Sequence, residues 1–230
     1  MPVPINPRRS MEVLAKHEQR LQDDFLIPAL LALQADFWAQ ENAKEELARS
    51  WKNHRLRGGL GFYYPHPDPT FAGQKASLTV VLRQSARYQL SDGRFANLPL
   101  LSEDPDAWVR IGSNQSSVNH ENPAEVDWFV EKAKRFLTAF EPQFACGDTD
   151  VNIARSFGDD PTMVAWPLAY YGPYEVARLG TETLLKAPAW KVEKDERGGI
   201  WLQAAQNPFT VERKDLRALA NHLELNPPKG

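Results

Sequence analysis

Five histidines, one cysteine and several paired carboxylates are the residues of this chain best equipped for chemistry. His17, His54, His66, His120 and His222 are scattered, with no HExxH pair and no cysteine at ligand spacing. No metal site follows from that pattern. Ser116-Ser117-Val118-Asn119-His120-Glu121 holds hydroxyls, an imidazole and a carboxylate, the residue set of nucleophilic acyl transfer. A triad must converge in space around an oxyanion hole, which neighbours along a loop seldom do, and no GxSxG elbow is present. We read a polar loop ahead of a helix. Glu212-Arg213-Lys214 has the E-x-K half of a nuclease motif but lacks a preceding aspartate on a paired strand. It suits a helix start, where an acidic residue meets the dipole. Gly58-Gly59-Leu60-Gly61 matches neither dinucleotide nor phosphate-loop spacing and reads as a turn, so no cofactor is expected.

Residues suited to binding are more plentiful. Acidic pairs recur in turn-like stretches: Glu103-Asp104 with Asp106, Asp148 with Asp150, Asp159-Asp160, and Asp195-Glu196. Aspartate favours turns and caps, and the same carboxylates can engage a basic partner. Asp159 and Asp160 stand out because they lead into the segment around Trp166. Trp38, Phe129, Phe136 and Phe140 fall on helical stripes and belong to the core. Tyr63, Tyr64, Trp166, Tyr170, Tyr171 and Tyr174 lie instead at strand ends and turns. Large rings with a polar handle dominate interface hot spots, so these six and the two aspartates are the candidate partner-binding residues. None of them is a candidate catalytic or metal-binding group.

The elements that would position them follow from periodicity and punctuation. Ser10 caps a helix carrying Val13, Leu14, His17, Leu21 and Phe25, Pro28 interrupts it, and a second helical run leads towards Trp51. The N-terminal part, about 8–55, is thus expected to be helical. Its outer face carries Glu41, Lys44, Glu45, Glu46 and Arg49, a solvated face. Gly58 to Tyr64 enters a strand that the prolines at 65, 67 and 69 end. Ala76–Ser85 and Trp108–Gly112 are strands by β-branched content and alternation. Asn122 caps a helix with Pro123 in its first turn, and Pro142 stops it. Val151–Ala154 and Met163–Trp166 read as strands, and Gly172-Pro173 opens a short helix closed by Gly180. A hairpin pairs Trp190–Lys194 with Gly199–Ala204, and a helix spans Glu212 to Leu223. Strands and helices intersperse without a repeated βαβ unit, which predicts an α+β fold: one domain over 1–230 with a mostly antiparallel sheet and packed helices.

Composition is permissive. The 230 residues can bury a sizeable core, and 42% hydrophobic with 25% charged residues is ordinary for globular proteins. A net charge of −3 gives no basic face for direct nucleic-acid binding. Cys146 stands alone, so no intrachain disulfide forms. The N-terminus has no apolar run of a signal peptide, and Phe25–Leu33 is too short to span a bilayer. A cytoplasmic protein without membrane contact is expected.

From Trp128 to Leu225 the chain resembles immunity proteins of bacterial polymorphic-toxin and type VI secretion systems. The likeness rests on Val164-Ala165-Trp166, the Gly172-Pro173 turn and short helix ending in Leu179-Gly180, Gly198-Gly199-Ile200-Trp201-Leu202-Gln203, Asn207-Pro208-Phe209 and the terminal helix. Within that group it looks most like immunity-protein family 52, whose members accompany toxins of restriction-endonuclease-like fold. The resemblance implies a non-enzymatic antidote whose partner is one cognate toxin. Alternatives of other classes are an adaptor of another pathway, and a hydrolase whose site is assembled from distant residues. A toxin gene beside this one separates the first from the rest; a deep polar pocket would favour the last.

Overall fold

Asn122 opens the longest helix described. The structure is a computed structural model that describes residues 10–16, 23–33, 43–54, 60–82, 86–89, 95–98, 108–113, 118–149 and 160–227. Asn122 accepts from the Ala124 N–H at 3.1 Å, and Pro123 takes the first position, where its missing N–H costs nothing. The helix (α3, Pro123–Phe140) ends at Glu141, which adopts a left-handed conformation. Between them Val126, Phe129, Val130, Ala133, Phe136, Leu137 and Phe140 form one buried stripe. Each such side chain contributes about 1.5–3 kcal/mol when fully buried.

That stripe needs a sheet to pack against. The strands are β1 (Met11–Lys16), β2 (Leu60–Pro65), β3 (Lys75–Leu82), β4 (Ala86–Gln89), β5 (Phe95–Leu98), β6 (Trp108–Ser113), β7 (Phe144–Thr149), β8 (Leu168–Tyr171), β9 (Lys191–Lys194) and β10 (Ile200–Gln203). Eight of them form one sheet in the order β2-β3-β6-β1-β7-β8-β10-β9, and β4 pairs with β5 alone. Every strand pair is antiparallel. With α1 (Asp23–Ala32), α2 (Ala43–His54), α4 (Pro173–Leu179), α5 (Thr181–Leu185) and α6 (Arg213–Leu223), this is a single-domain α+β fold. No described helix is long and apolar enough to cross a membrane.

Two apolar clusters lie on the two faces of the sheet. Met11, Val13 and Ala15 join α1, α2 and α3 on one face. Leu14, Phe144 and Cys146 join Val176, Leu184, Leu216, Leu219 and Leu223 of the last three helices on the other. Along the second face the strands β2, β3 and β6 are polar. There the paired row runs Gly61, Thr79, Gly112, Glu12, Asp148. Glu12 and Asp148 are buried, and Arg110 of β6 reaches Glu12 in an ion pair.

The N-terminal expectation is corrected here. Residues 11–16 form the central strand of the sheet, not a helix, and only α1 and α2 are helical in the first part of the chain. A strand buried on both faces has no alternation of polar and apolar residues, so Met11 to Ala15 mimics a helical run. Pro28 sits inside α1 and faces solvent rather than interrupting it. Lys44, Glu45, Glu46 and Arg49 are exposed, whereas Glu41 lies outside the described residues. Met163–Trp166 is also corrected: Pro161–Met163 is a 3₁₀ turn, Val164 makes one isolated bridge to Asn226, and the strand begins at Leu168. Pro161 and Pro167 flank the segment without N–H groups to pair. The other expected strands and helices form with ends shifted by a few residues, except Val151–Ala154 and the part of the second helical run that holds Phe37 and Trp38, which lie outside the described residues.

Candidate functional site

The segment following Asp160 is fixed by side chains before it offers anything to solvent. Asp160 caps the 3₁₀ turn, accepting from the Thr162 N–H at 3.0 Å and the Thr162 hydroxyl at 2.9 Å. Trp166 is buried, and its indole N–H donates to Pro161 O at 2.8 Å, tying the turn to the core. On α4, Glu175 is buried and takes Nε of Arg178 at 2.7 Å. The same guanidinium donates to Thr162 O at 3.1 Å and lies 3.5 Å from the Met163 sulfur. One arginine therefore clamps the turn to the helix. Tyr174 sits one helical turn before Arg178 on the same face of α4 and is 62% exposed, with Met163 37% exposed beside the guanidinium. Asp160, Met163, Tyr174 and Arg178 thus form a surface with an aromatic, a thioether and both signs of charge.

The other aromatic candidates go inward. Tyr64, Trp166, Tyr170 and Tyr171 are all buried, which removes their rings from any surface the folded chain presents. Tyr64 donates to Leu33 O at 3.1 Å and meets Trp128 edge-on. Tyr170 donates to Asp195 Oδ2 at 2.8 Å; burial and then that carboxylate push its pKa well up, so it stays a donor. Asp195 also accepts from the Gly199 N–H at 2.8 Å and closes the hairpin around Gly198, whose φ is +90°. Tyr171 is fully buried, and its hydroxyl has no partner among the described residues. Burial raises its pKa as well. Tyr171→Phe is therefore expected to leave stability unchanged or raise it by about 1 kcal/mol, because no bond is lost and a desolvated hydroxyl is removed. A urea midpoint falling by an equivalent amount would show that the hydroxyl is satisfied.

Tyr63, on the edge strand β2, is 57% exposed and stands apart in sequence and sheet position from Tyr174. Asp159 lies outside the described residues, as do Asp150, Glu103, Asp104, Asp106, Ser116, Ser117, Gly58 and Gly59. Asp148, expected in a turn, is buried in β7. His222 is exposed and pairs with Thr183 O at 2.9 Å. His120 is buried, and its backbone carbonyl accepts from Asn207. Among the described residues no three histidine, cysteine, aspartate or glutamate side chains cluster as metal ligands. Cys146 is buried; desolvation and then Asp148 hold its thiol protonated, the opposite of a nucleophile.

Sequence reasoning missed three surface residues. Met163 looked like the opening of a strand, Trp190, 54% exposed, like a hairpin base, and Arg178 drew no reading. The signal for Arg178 was Glu175 three residues earlier, a spacing that pairs on a helix.

No protein-family profile and no curated protein matches this chain. Among solved structures it is similar to a Pseudomonas aeruginosa T6SS protein, PA0821, with a TM-score of 0.48 and 10% identity over 94% of this chain and 72% of that one. At that level the similarity is one of backbone arrangement, and the functional reading rests on the surface itself.

Proposed function

We propose that the protein is an immunity protein: it binds a cognate secreted toxin in the producing bacterial cell and neutralises it by covering it, without catalysis. The observation that supports this reading is the exposed Tyr174–Met163 surface, held in place by Arg178, Glu175, Trp166 and Asp160 before any partner arrives. Binding then spends little on ordering, which favours tight association. The mixed charges of Asp160 and Arg178 supply orientation, and Tyr174 supplies the anchor. The resemblance of the last third to toxin-immunity proteins points the same way, and a nuclease effector is the partner it suggests.

Calorimetric titration against the toxin domain encoded beside the gene tests this. Nanomolar binding, about −12 kcal/mol, is expected, since an antidote must work at low concentration. Absence of binding to a folded toxin overturns the reading. Tyr174→Ala is expected to weaken the complex about thirty-fold, the loss typical of an aromatic hot spot, with unfolding unchanged. An unchanged Kd would place the contact elsewhere on the protein.

A further inference from the structure

Among the described residues the sheet ends at β9, one flank of which carries no strand. Asp195 N–H donates to Gly199 O at 2.9 Å, so the antiparallel ladder turns Glu193 and Lys191 towards β10. By alternation the N–H and C=O groups of Val192 and Lys194 point away from it. Unpaired strand edges are usually blocked by proline, a bulge or unbalanced charge. No proline lies from Trp190 to Lys194, and among the described residues the exposed Lys194 is the charge there without an ion pair. Lys191 is already balanced by Glu193, 2.7 Å away on the same face, and Glu193 also takes Lys134. Burial alone would raise the Glu193 pKa, but the two lysines outweigh it and keep the carboxylate charged.

The order of side chains along this edge is self-complementary. Laid antiparallel against a second copy about Val192, Val192 meets the partner's Val192. Lys191 meets the partner's Glu193 on one face, and Trp190, which precedes the strand and gives its own N–H to Ala204 O at 3.2 Å, lies towards the partner's Lys194. Each unlike pair occurs twice by the two-fold symmetry. Directly opposed residues point to the same face, so each pair is in reach, and a lysine beside an indole is attractive. The neighbouring registers that keep the outward groups facing set Lys191 against the partner's Lys191 in one direction and Glu193 against the partner's Glu193 in the other, and both repel. Charge therefore selects one register. Trp190, one of the most exposed large apolar side chains described, would be covered in it.

We infer that β9 is a homodimerisation edge, joining two copies of this chain into one continuous antiparallel sheet about Val192. This holds whatever the Tyr174 surface binds. Light scattering and sedimentation equilibrium of the full chain at micromolar concentrations test it, and a two-fold dimer is expected. Lys191→Glu and Glu193→Lys alone each place like charges opposite one another at two symmetric positions. Each is expected to raise the dimer Kd about ten-fold, and the double variant K191E/E193K to bring it back within about three-fold. V192P removes an outward N–H, which a sheet edge tolerates, and replaces a half-buried side chain by another apolar one; it is expected to abolish dimerisation with the circular dichroism spectrum unchanged. A monomeric wild type at about 100 µM overturns the inference. So does a dimer indifferent to V192P, or a double variant as weak as the single ones.

Discussion

Arg110→Ala is expected to lower the free energy of unfolding by about 3–5 kcal/mol. Arg110 is the charge partner of Glu12, and Glu12 lies buried on the middle strand with buried Asp148 opposite it on β7. Gly112 lies beside the pair. The Glu12 Oε1 lies 3.6 Å from where a side chain at 112 would begin, so the carboxylate leans across that glycine towards β6. Truncating the arginine takes a cation away from a buried acid that has another acid opposite it, which is the costly way to break an ion pair. Removing both partners costs less, so Glu12→Leu combined with Arg110→Met is expected to recover much of the loss. Urea unfolding at constant slope reads both effects. A loss below about 1 kcal/mol would show that the pair behaves as a solvated one.

Gly172→Ala is the second large effect, at about 3 kcal/mol of destabilisation. Gly172 has φ −66°, which any residue accepts, so conformation is not the reason for glycine here. The reason is proximity. Its N–H donates to Gln143 O at 2.8 Å, and an added Cβ would stand 2.6 Å from that oxygen and 2.7 Å from Pro142 O. Both are backbone atoms at the entry to β7 and cannot rotate aside. The methyl group must therefore push β7 from β8 or break the hydrogen bond that joins them. Because α4 starts at Pro173, the Tyr174 surface would move with it, so binding to any partner of that surface is expected to weaken as well. A urea midpoint within error of wild type would sink this account.

These residues show what could be read from the sequence and what could not. The helix at Pro123–Phe140, the Gly172-Pro173 start, the Gly198 hairpin and the final helix were legible because caps, prolines and apolar spacing act locally. The place of residues 11–16 was not, since only contact with β6 and β7 distinguishes a doubly buried strand from one turn of helix. β7 itself, Phe144–Thr149, escaped for the same reason: Gly147 and Asp148 lower its strand propensity, and burial on both faces overrides that. At the site, the sequence named Asp160, Trp166 and Tyr174 among its candidate partner-binding residues. It could not divide them into support and surface. Trp166, Tyr170 and Tyr171 sit close to Tyr174 in sequence yet point into the sheet, and that depends on strand register rather than residue type.

The position of β1 also sets a clock. The Met11 N–H bond to the Ser113 hydroxyl spans 102 residues, and the β7 side of the same strand must wait longer still. At the roughly 5–20 residues per second of ribosomal synthesis, β1 leaves the exit tunnel about five to twenty seconds before its first neighbour exists. Until then β1 has neither of its neighbours, and the sheet has no centre. The molecule therefore assembles late and as a whole, by long loop closures rather than by extension from its beginning, and a nascent chain stalled before β7 would have no usable fold.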